Sequence, residues 1–405
     1  MTDPCPPAAP GPWWRAGRFP LFAAARGLSV TGDLAALSAL TVHVFQDTAS
    51  GAAVSGLFAV RVLPRLFGAL AGGLSDRVDP RRLLVFCDLI SCAVFVLIAC
   101  TRPGYAMILG LVLVAESAAT VTAPAAQALV ARTIPAHALS RANGLLMAVT
   151  AIGFASGAAI GGLAATTLGY QYALLVNAAS FVLSAALVAA LPRVPAVRED
   201  DDRGFLAATR AGLGRLRRDR QAAAVAVATI GVTFAAAIDR PALVVLTQRD
   251  LAGGSGLAYG LALGGISLGA LVATLLMGRL RALTPSAAAL VAGIAVEAAG
   301  HLGMGLAPTV AAVVIGAAVA GFGDGMEGVT AITLLQRAGG SSVGLVMGAV
   351  LSGSYLADAT GSLLGGLVVG AAGPRLTFGL SAALMIACAA VPWYAARNAR
   401  RSAPL

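Results

Sequence analysis

The sequence predicts an all-α membrane protein whose twelve transmembrane helices form two pseudo-symmetric six-helix halves. Three observations support this fold class. The 405-residue chain is 58% hydrophobic and only 11% charged, and its mean hydropathy of +0.86 is far above that of a soluble domain. Apolar runs long enough to cross a hydrocarbon core of about 30 Å recur along the whole chain. One long polar segment then divides these runs six from six.

Charged residues or Gly and Pro breaks separate the apolar runs and so place the span boundaries. The predicted spans are approximately 20–46, 52–75, 82–101, 104–131, 142–167, 170–191, 221–248, 256–278, 286–305, 309–336, 342–371 and 373–396. The predicted domains are an N-terminal tail (1–19), an N-terminal half (20–191), a central loop (192–220), a C-terminal half (221–396) and a C-terminal tail (397–405). No signal cleavage is expected. Residues 205–218 predict either an amphipathic surface helix or a solvated linker.

The arginines predict the orientation of the chain. All 28 basic residues are arginine, and with both termini inside, 21 lie in the tails and inward loops. The outward loops hold three, and four lie within spans. The positive-inside rule produces this asymmetry, so both termini are expected in the cytoplasm of a multi-pass protein of the cell membrane. The net charge of +10 therefore needs no nucleic-acid partner.

A weak internal repeat supports two related halves. At a constant offset of 204 residues, glycines of the first half fall on glycines of the second. The pairs are Gly144 and Gly348, Gly157 and Gly361, Gly161 and Gly365, Gly162 and Gly366, and Gly169 and Gly373. Duplicated halves are typical of alternating-access transporters, whose substrate site lies between the halves near the bilayer midplane.

The stretch GGLSDRVDPRR, residues 72–82, lies between the second and third spans. Its charges indicate a turn at a membrane surface, where Asp79 can cap the next helix and Pro80 suits its first position. The stretch resembles the signature of the major facilitator superfamily, with Asp79 and Pro80 departing from it. The matching residues are Gly72, Leu74, Asp76, Arg77, Arg81 and Arg82. The resemblance implies a gating motif on the cytoplasmic side, in which Asp76 contacts the other half when the cavity faces out.

Three further segments, 29–50, 141–149 and 334–350, are similar to the drug, siderophore and macrolide exporter branch of that superfamily. The run from Gly153 to Gly162 also resembles the exporter signature of the fifth helix, although Ala158 replaces its proline. Glycines one turn apart form a flat stripe that lets helices pack closely. The predicted packing glycines are Gly153, Gly157, Gly161 and Gly162.

Charged residues inside the spans are the candidate functional residues, because an ionisable group at bilayer depth is costly. The candidate proton-coupling acids are Glu116, Asp324, Glu327 and Asp358, none of which has an arginine nearby in sequence. The candidate cavity charges are Asp33, Arg61, Arg65, Asp239 and Arg240. A structural ion pair is an alternative for Asp33 with the two arginines of the second span, and for Asp239 with Arg240. Glu297 and His301, one turn apart, are expected to bond to each other.

These residues predict a secondary transporter, and the resemblance favours proton-coupled efflux of amphipathic small molecules such as drugs, antibiotics or secondary metabolites. An importer or facilitator on the same fold is the alternative, followed by a transport-inactive receptor. No enzyme activity, catalytic residue, metal or cofactor is expected. ATP is not expected as a partner because the chain has no lysine for a phosphate-binding loop. The expected partners are the bilayer, a small-molecule substrate and protons, with the protein as a monomer.

Overall fold

The computed structural model describes residues 19–67, 78–134, 139–191, 214, 219–251, 255–279, 285–339 and 343–401. Within these ranges the chain is helical and contains no strand. The helices are α1 (Phe19–Thr48), α2 (Gly51–Val62), α3 (Pro80–Thr101), α4 (Tyr105–Thr133), α5 (Leu139–Thr167), α6 (Tyr170–Ala189), α7 (Arg220–Val245), α8 (Gly256–Arg279), α9 (Ala287–Leu306), α10 (Val310–Gly339), α11 (343–372) and α12 (374–401). The all-α membrane fold is therefore confirmed.

Helices α11 and α12 are separated by a single glycine. The helical assignment runs over Val343–Arg401, 59 residues, but Gly373 within it has φ 77° and ψ 167°. Gly169 occupies the equivalent turn between α5 and α6, with φ 95°. A positive φ is readily adopted only by glycine. The repeat at an offset of 204 residues thus marks the same turn in both halves.

Local sequence explains where several helices begin. The Asp79 carboxylate accepts a hydrogen bond of 3.0 Å from the Arg81 backbone N–H, and Pro80 is the first residue of α3. The predicted cap is therefore confirmed. Asp219 caps α7 in the same way. Helix α2 tightens after Val62 into a 3₁₀ turn, Leu63–Phe67, where Pro64 cannot donate a backbone hydrogen bond.

Ten helical segments among the described residues are long and apolar enough to span a membrane. The last of them covers both α11 and α12, and only 12 residues of α2 are assigned as α-helix. Large apolar side chains cover the outside of the bundle, as at Leu306 and Leu376, which are 71% and 69% exposed. A surface of this kind requires a lipid environment. The protein is a multi-pass membrane protein.

The helices pack as two groups. In the first half, α1 packs on α5 and α6, while α3 packs on α4 and α6. In the second half, α7 packs on α11 and α12, α8 packs on α10, and α9 packs on α10 and α12. The repeated glycines make equivalent contacts: Gly161 lies against Ala35 of α1, and Gly365 lies against Ile238 of α7. The two halves are thus pseudo-symmetric.

The halves meet closely at one end of the bundle. We call the end at which α1 begins the tail end, and the end at which α1 stops, near Thr48, the loop end. Between the halves, α2 contacts α11 and α5 contacts α8. Gly366 lies against Ala52 and Ser55 near the loop end, where Gln46 also donates a hydrogen bond of 3.4 Å to Gln248. The loop end is therefore closed.

Candidate functional site

A cavity of about 720 Å³ lies between the halves. Helices α1 to α6 supply most of its lining, and α11 supplies the wall from the second half. The lining runs from Leu40 and Leu57, toward the loop end, to Arg26, Arg65 and Gln127, toward the tail end. The described residues bring the halves together at the loop end, and the cavity extends from there toward the tail end.

The strongest charge contact in the cavity joins α2 to α4. The Arg61 Nε atom lies 2.6 Å from Glu116 Oε1, and the Arg65 Nη2 atom lies 3.3 Å from Glu116 Oε2. The side chains of Arg61 and Glu116 are only 20% and 10% exposed. Two cations therefore share one largely buried carboxylate. The alternative of a direct ion pair between Asp33 and these arginines is not formed, although Arg61 interacts electrostatically with Asp33. Hydropathy locates Glu116 in its span, but it does not show that α4 turns this residue toward α2.

Asp33 instead faces α6. Its Oδ1 atom accepts a hydrogen bond of 3.4 Å from Asn177 Nδ2. Arg61 of α2 and Arg26, two turns earlier on α1, interact electrostatically with this carboxylate. Asp33 lines the cavity without a direct ion pair to any described residue. Its carboxylate is consequently the acid most open to a ligand in the cavity.

Two cavity charges were missed by the sequence analysis. Asp88 of α3 lines the cavity, is 3% exposed and hydrogen-bonds the Ser184 side chain of α6. Arg26 lines the cavity and interacts with both Asp88 and Asp33. Arg26 lies about two turns from the centre of its predicted span, and Asp88 lies about one turn from the centre of its own. A charged residue within an apolar run was the available signal for both.

Among the described residues, two further charge pairs lie within the spans of the second half. Arg240 of α7 forms an ion pair with Asp358 of α11. His301 Nδ1 of α9 lies 2.5 Å from Asp239 Oδ2 of α7. The expected bond between Glu297 and His301 is therefore wrong, and the alternative ion pair of Asp239 with Arg240 is not formed. Adjacent residues on a helix point about 100° apart, so Asp239 and Arg240 face different neighbours.

The remaining acids of the second half lie close to these pairs. Glu327 Oε1 accepts a hydrogen bond of 2.6 Å from the Thr229 hydroxyl of α7. Asp324 is exposed and interacts electrostatically with His301 and Arg240. Neither Asp324 nor Glu327 forms an ion pair with another described residue. Of the four predicted proton-coupling acids, Glu116 and Asp358 are thus held by arginine, whereas these two are not.

The predicted gating motif lies only partly within the described ranges. Gly72, Leu74, Asp76 and Arg77 lie outside the described residues. The Arg81 guanidinium donates a hydrogen bond to the backbone carbonyl of Ala189, at the end of α6. Arg82 Nε lies 4.0 Å from Asp79 Oδ2. Both described arginines therefore hold the start of α3 at the tail end.

The four predicted packing glycines of α5 face two different partners. Gly153 and Gly157 lie against the backbone of α1 near Gly27 and Thr31, and Gly161 lies against Ala35. Gly162, the next residue, instead faces the backbone of α8. There it meets Gly256 and Gly260. One stripe thus joins α5 to its own half and to the other half.

Comparison with known proteins agrees with this architecture. The family model described as Major Facilitator Superfamily matches residues 21–248, more than half of the chain. Two six-helix halves around a partly polar cavity are the architecture of a multi-pass membrane transporter, and this is the class of the protein. The chain belongs to the major facilitator superfamily. No curated protein matches the chain by sequence.

Solved structures of several transporters share the fold. An auto-inhibited POT family peptide transporter has a TM-score of 0.74 at 16% identity, covering 94% of this chain and 96% of that chain. The nucleoside transporter NupG has a TM-score of 0.67 at 14% identity, covering 93% and 98%. A bacterial homolog of the human lysosomal transporter Spinster, inward-facing and unoccupied, has a TM-score of 0.66 at 14% identity, covering 96% and 98%. At these identities the likeness shows the fold alone.

Proposed function

We propose that the protein is a proton-coupled exporter of amphipathic small molecules that alternates access between its two halves. The observation that carries this proposal is the mixed lining of the cavity. Leu34, Phe95, Phe154 and Phe181 offer apolar and aromatic surface, and Asp33 offers a carboxylate without a cation pair among the described residues. Apolar surface with a few placed polar groups is typical of small-molecule sites. An amphipathic solute, with one charged group and a large apolar body, suits such a lining.

The direction of transport is part of the proposal. The resemblance of Gly153–Gly162 to the exporter signature favours efflux, and the contact of Gly162 with α8 puts this segment at the interface between the halves. With both termini in the cytoplasm and the halves packed together at the loop end, substrate would load from the cytoplasm or the inner leaflet. The proposal takes a proton gradient as the energy source, because buried carboxylates are suitable proton carriers.

Efflux can be tested with fluorescent amphipathic dyes and antibiotics in an efflux-deficient bacterial host. We expect the protein to lower dye accumulation and to raise antibiotic resistance, and a protonophore to abolish both effects. Energy-dependent accumulation of a solute would instead favour the importer alternative. Solute binding without flux in reconstituted vesicles would favour the receptor.

The matched variants for this test are Asp33→Asn and Asp47→Asn. Both change an aspartate of α1, but Asp47 is exposed at the loop end and does not line the cavity. Loss of a charge-assisted contact worth about 1.5–3 kcal/mol would weaken binding of a cationic dye about ten- to hundredfold. We expect this loss in Asp33→Asn and near-normal binding in Asp47→Asn. Equal binding by both variants would remove Asp33 from the substrate site.

Orientation can be tested by cysteine labelling in a Cys-free background. Gly51 and Gly169 lie at the loop end, whereas Gly204 belongs to the central segment outside the described residues. The arginine asymmetry predicts that a membrane-impermeant thiol reagent added outside intact cells will label cysteines at Gly51 and Gly169 but not at Gly204. Labelling at Gly204 with protection at Gly51 would invert the topology.

A further inference from the structure

The second half contains a buried acidic group that the cavity does not use. Glu297 of α9 is 3% exposed, and its Oε2 atom is buried with no hydrogen-bond partner among the described residues. It lies within electrostatic range of Asp324, Glu327 and Asp239. No arginine described here pairs with it. A buried carboxylate with acidic neighbours and no cation needs a ligand of positive charge.

Close packing of α9 on α10 creates this arrangement. Gly293 lies against the backbone of Glu327, and Gly323 lies against the backbone of Glu297. Gly300 of α9 likewise meets Ala320 of α10. Small residues at these crossings let the two backbones approach, as is common between membrane helices. The approach holds the acids of α10 beside Glu297.

A metal ion does not fit these residues. Among the described residues, no group of three or more His, Cys, Asp or Glu side chains is placed to hold a metal ion. The His301 ring lies one turn from Glu297 on α9 and already contacts the Asp239 carboxylate. An imidazole beside a carboxylate is a group that can take up and pass on a proton. The proton is the cation that both Glu297 and His301 can bind.

We propose that Glu297, with the His301–Asp239 pair beside it, forms the proton-binding site of this transporter, which rests on the proposed proton-coupled function. Protonation converts the buried Glu297 carboxylate to a neutral acid and removes an uncompensated charge. Asp324 of α10 interacts electrostatically with both His301 and Arg240. Positive charge facing the site comes from Arg240 of α7, which is itself paired with Asp358 of α11. From α12, the neighbouring side chain is the uncharged Phe378.

The proposal separates the proton from the substrate. None of Glu297, His301, Asp239 or Asp324 lines the 720 Å³ cavity, whose charged lining comes from the first half. Proton and substrate would therefore not compete for one carboxylate. They would be coupled through the movement of one half relative to the other, because each state of the bundle changes access to both sites.

The first test uses the wild-type protein and no transported solute. A hydrophobic carbodiimide modifies protonated carboxylic acids in apolar surroundings, and mass spectrometry of peptides locates the modified residue. In proteoliposomes we expect modification of Glu297 that decreases as pH rises, with Asp47, an exposed acid at the loop end, unmodified throughout. Absence of label on Glu297 at every pH would overturn the proposal.

The second test separates coupling from binding. In vesicles loaded with a cationic amphipathic dye that the wild type exports, Glu297→Gln should lose flux driven by a pH gradient but retain dye binding and dye exchange. His301→Gln should shift the pH profile of the same flux, which a purely structural role would not do. Asp250→Asn, which changes an exposed acid of the loop end, is the control. Gradient-driven flux at the wild-type level in Glu297→Gln would overturn the proposal even if export itself is confirmed.

Failure of this inference and failure of the proposed function give different results. If no tested dye is exported, carbodiimide labelling of Glu297 still reports whether the site binds a proton. If dyes are exported under a proton gradient but Glu297 is neither labelled nor required, the proton-coupled function stands and the site lies elsewhere. The four acids predicted from sequence are then the remaining candidates.

Discussion

Glu116→Gln is expected to lower the free energy of unfolding by about 3–5 kcal/mol, the typical cost of breaking one side of a buried ion pair. The variant leaves the guanidinium groups of Arg61 and Arg65 next to a neutral amide. The Arg61 Nε atom lies 2.6 Å from the Glu116 carboxylate in the wild type, and the Arg61 side chain is only 20% exposed. Thermal unfolding in detergent and the monodisperse yield after extraction measure this loss.

A compensating variant distinguishes the ion pair from a general sensitivity of α4. Arg61→Gln combined with Glu116→Gln removes both charges, so most of the lost stability should return. Asp250→Asn breaks the surface pair with Arg249, whose side chain is 61% exposed, and should change stability by less than about 1 kcal/mol. Full stability of Glu116→Gln alone would show that the pair is not structural and would favour Glu116 as a proton carrier.

The membrane spans could be predicted from sequence because a span is a one-dimensional signal. About 20 apolar residues are needed to cross the bilayer, and turns require Gly, Pro or charge at their ends. Gly169 and Gly373 show this directly, since each interrupts a long apolar run at a positive φ. At the start of α3, Asp79 caps the helix and Pro80 is its first residue, as the sequence predicted. The repeat of glycines likewise identified equivalent contacts on α1 and α7.

The partners of the buried charges could not be predicted in the same way. Which residue a side chain meets depends on the rotation of two helices and on their neighbours in space, and hydropathy encodes neither. Glu116 was expected to be free because no arginine is near it in sequence, yet α2 and α4 bring two arginines to it. His301 was assigned to the acid one turn away on its own helix and instead bonds to Asp239 of α7. Proximity along one helix is a poor guide when a neighbouring helix presents a better acceptor.

The same substitution at two adjacent glycines of α5 should have different effects, on stability at one position and on transport at the other. Gly161 lies against Ala35 of α1, within the first half, whereas Gly162 lies against Gly256 and Gly260 of α8, across the interface between halves. A valine at position 161 would push apart two helices of one folded unit. A valine at position 162 would instead obstruct only the closed arrangement of the two halves at the loop end.

We therefore expect Gly161→Val to lower stability by about 1–3 kcal/mol or more, as overpacking does, without changing the distance between the halves. Gly162→Val should remain folded but should lose transport, because the loop end can no longer close. Spin labels on cysteines at Asp47 and Arg249, both exposed at the loop end, report that distance by pulsed electron paramagnetic resonance. The distance should be short in the wild type and in Gly161→Val, and longer in Gly162→Val.

The repeat supplies an independent check of this prediction. Gly365 lies against Ile238 of α7 within the second half, and Gly366 lies against Ala52 and Ser55 of α2 across the interface. Gly365→Val should therefore behave like Gly161→Val, and Gly366→Val like Gly162→Val. If the two adjacent glycines of one half (161 and 162, or 365 and 366) gave the same result, they would not have separate roles in stability and in closing the loop end. If both halves gave the predicted difference, the first glycine of each adjacent pair would be needed for stability and the second for the conformational change.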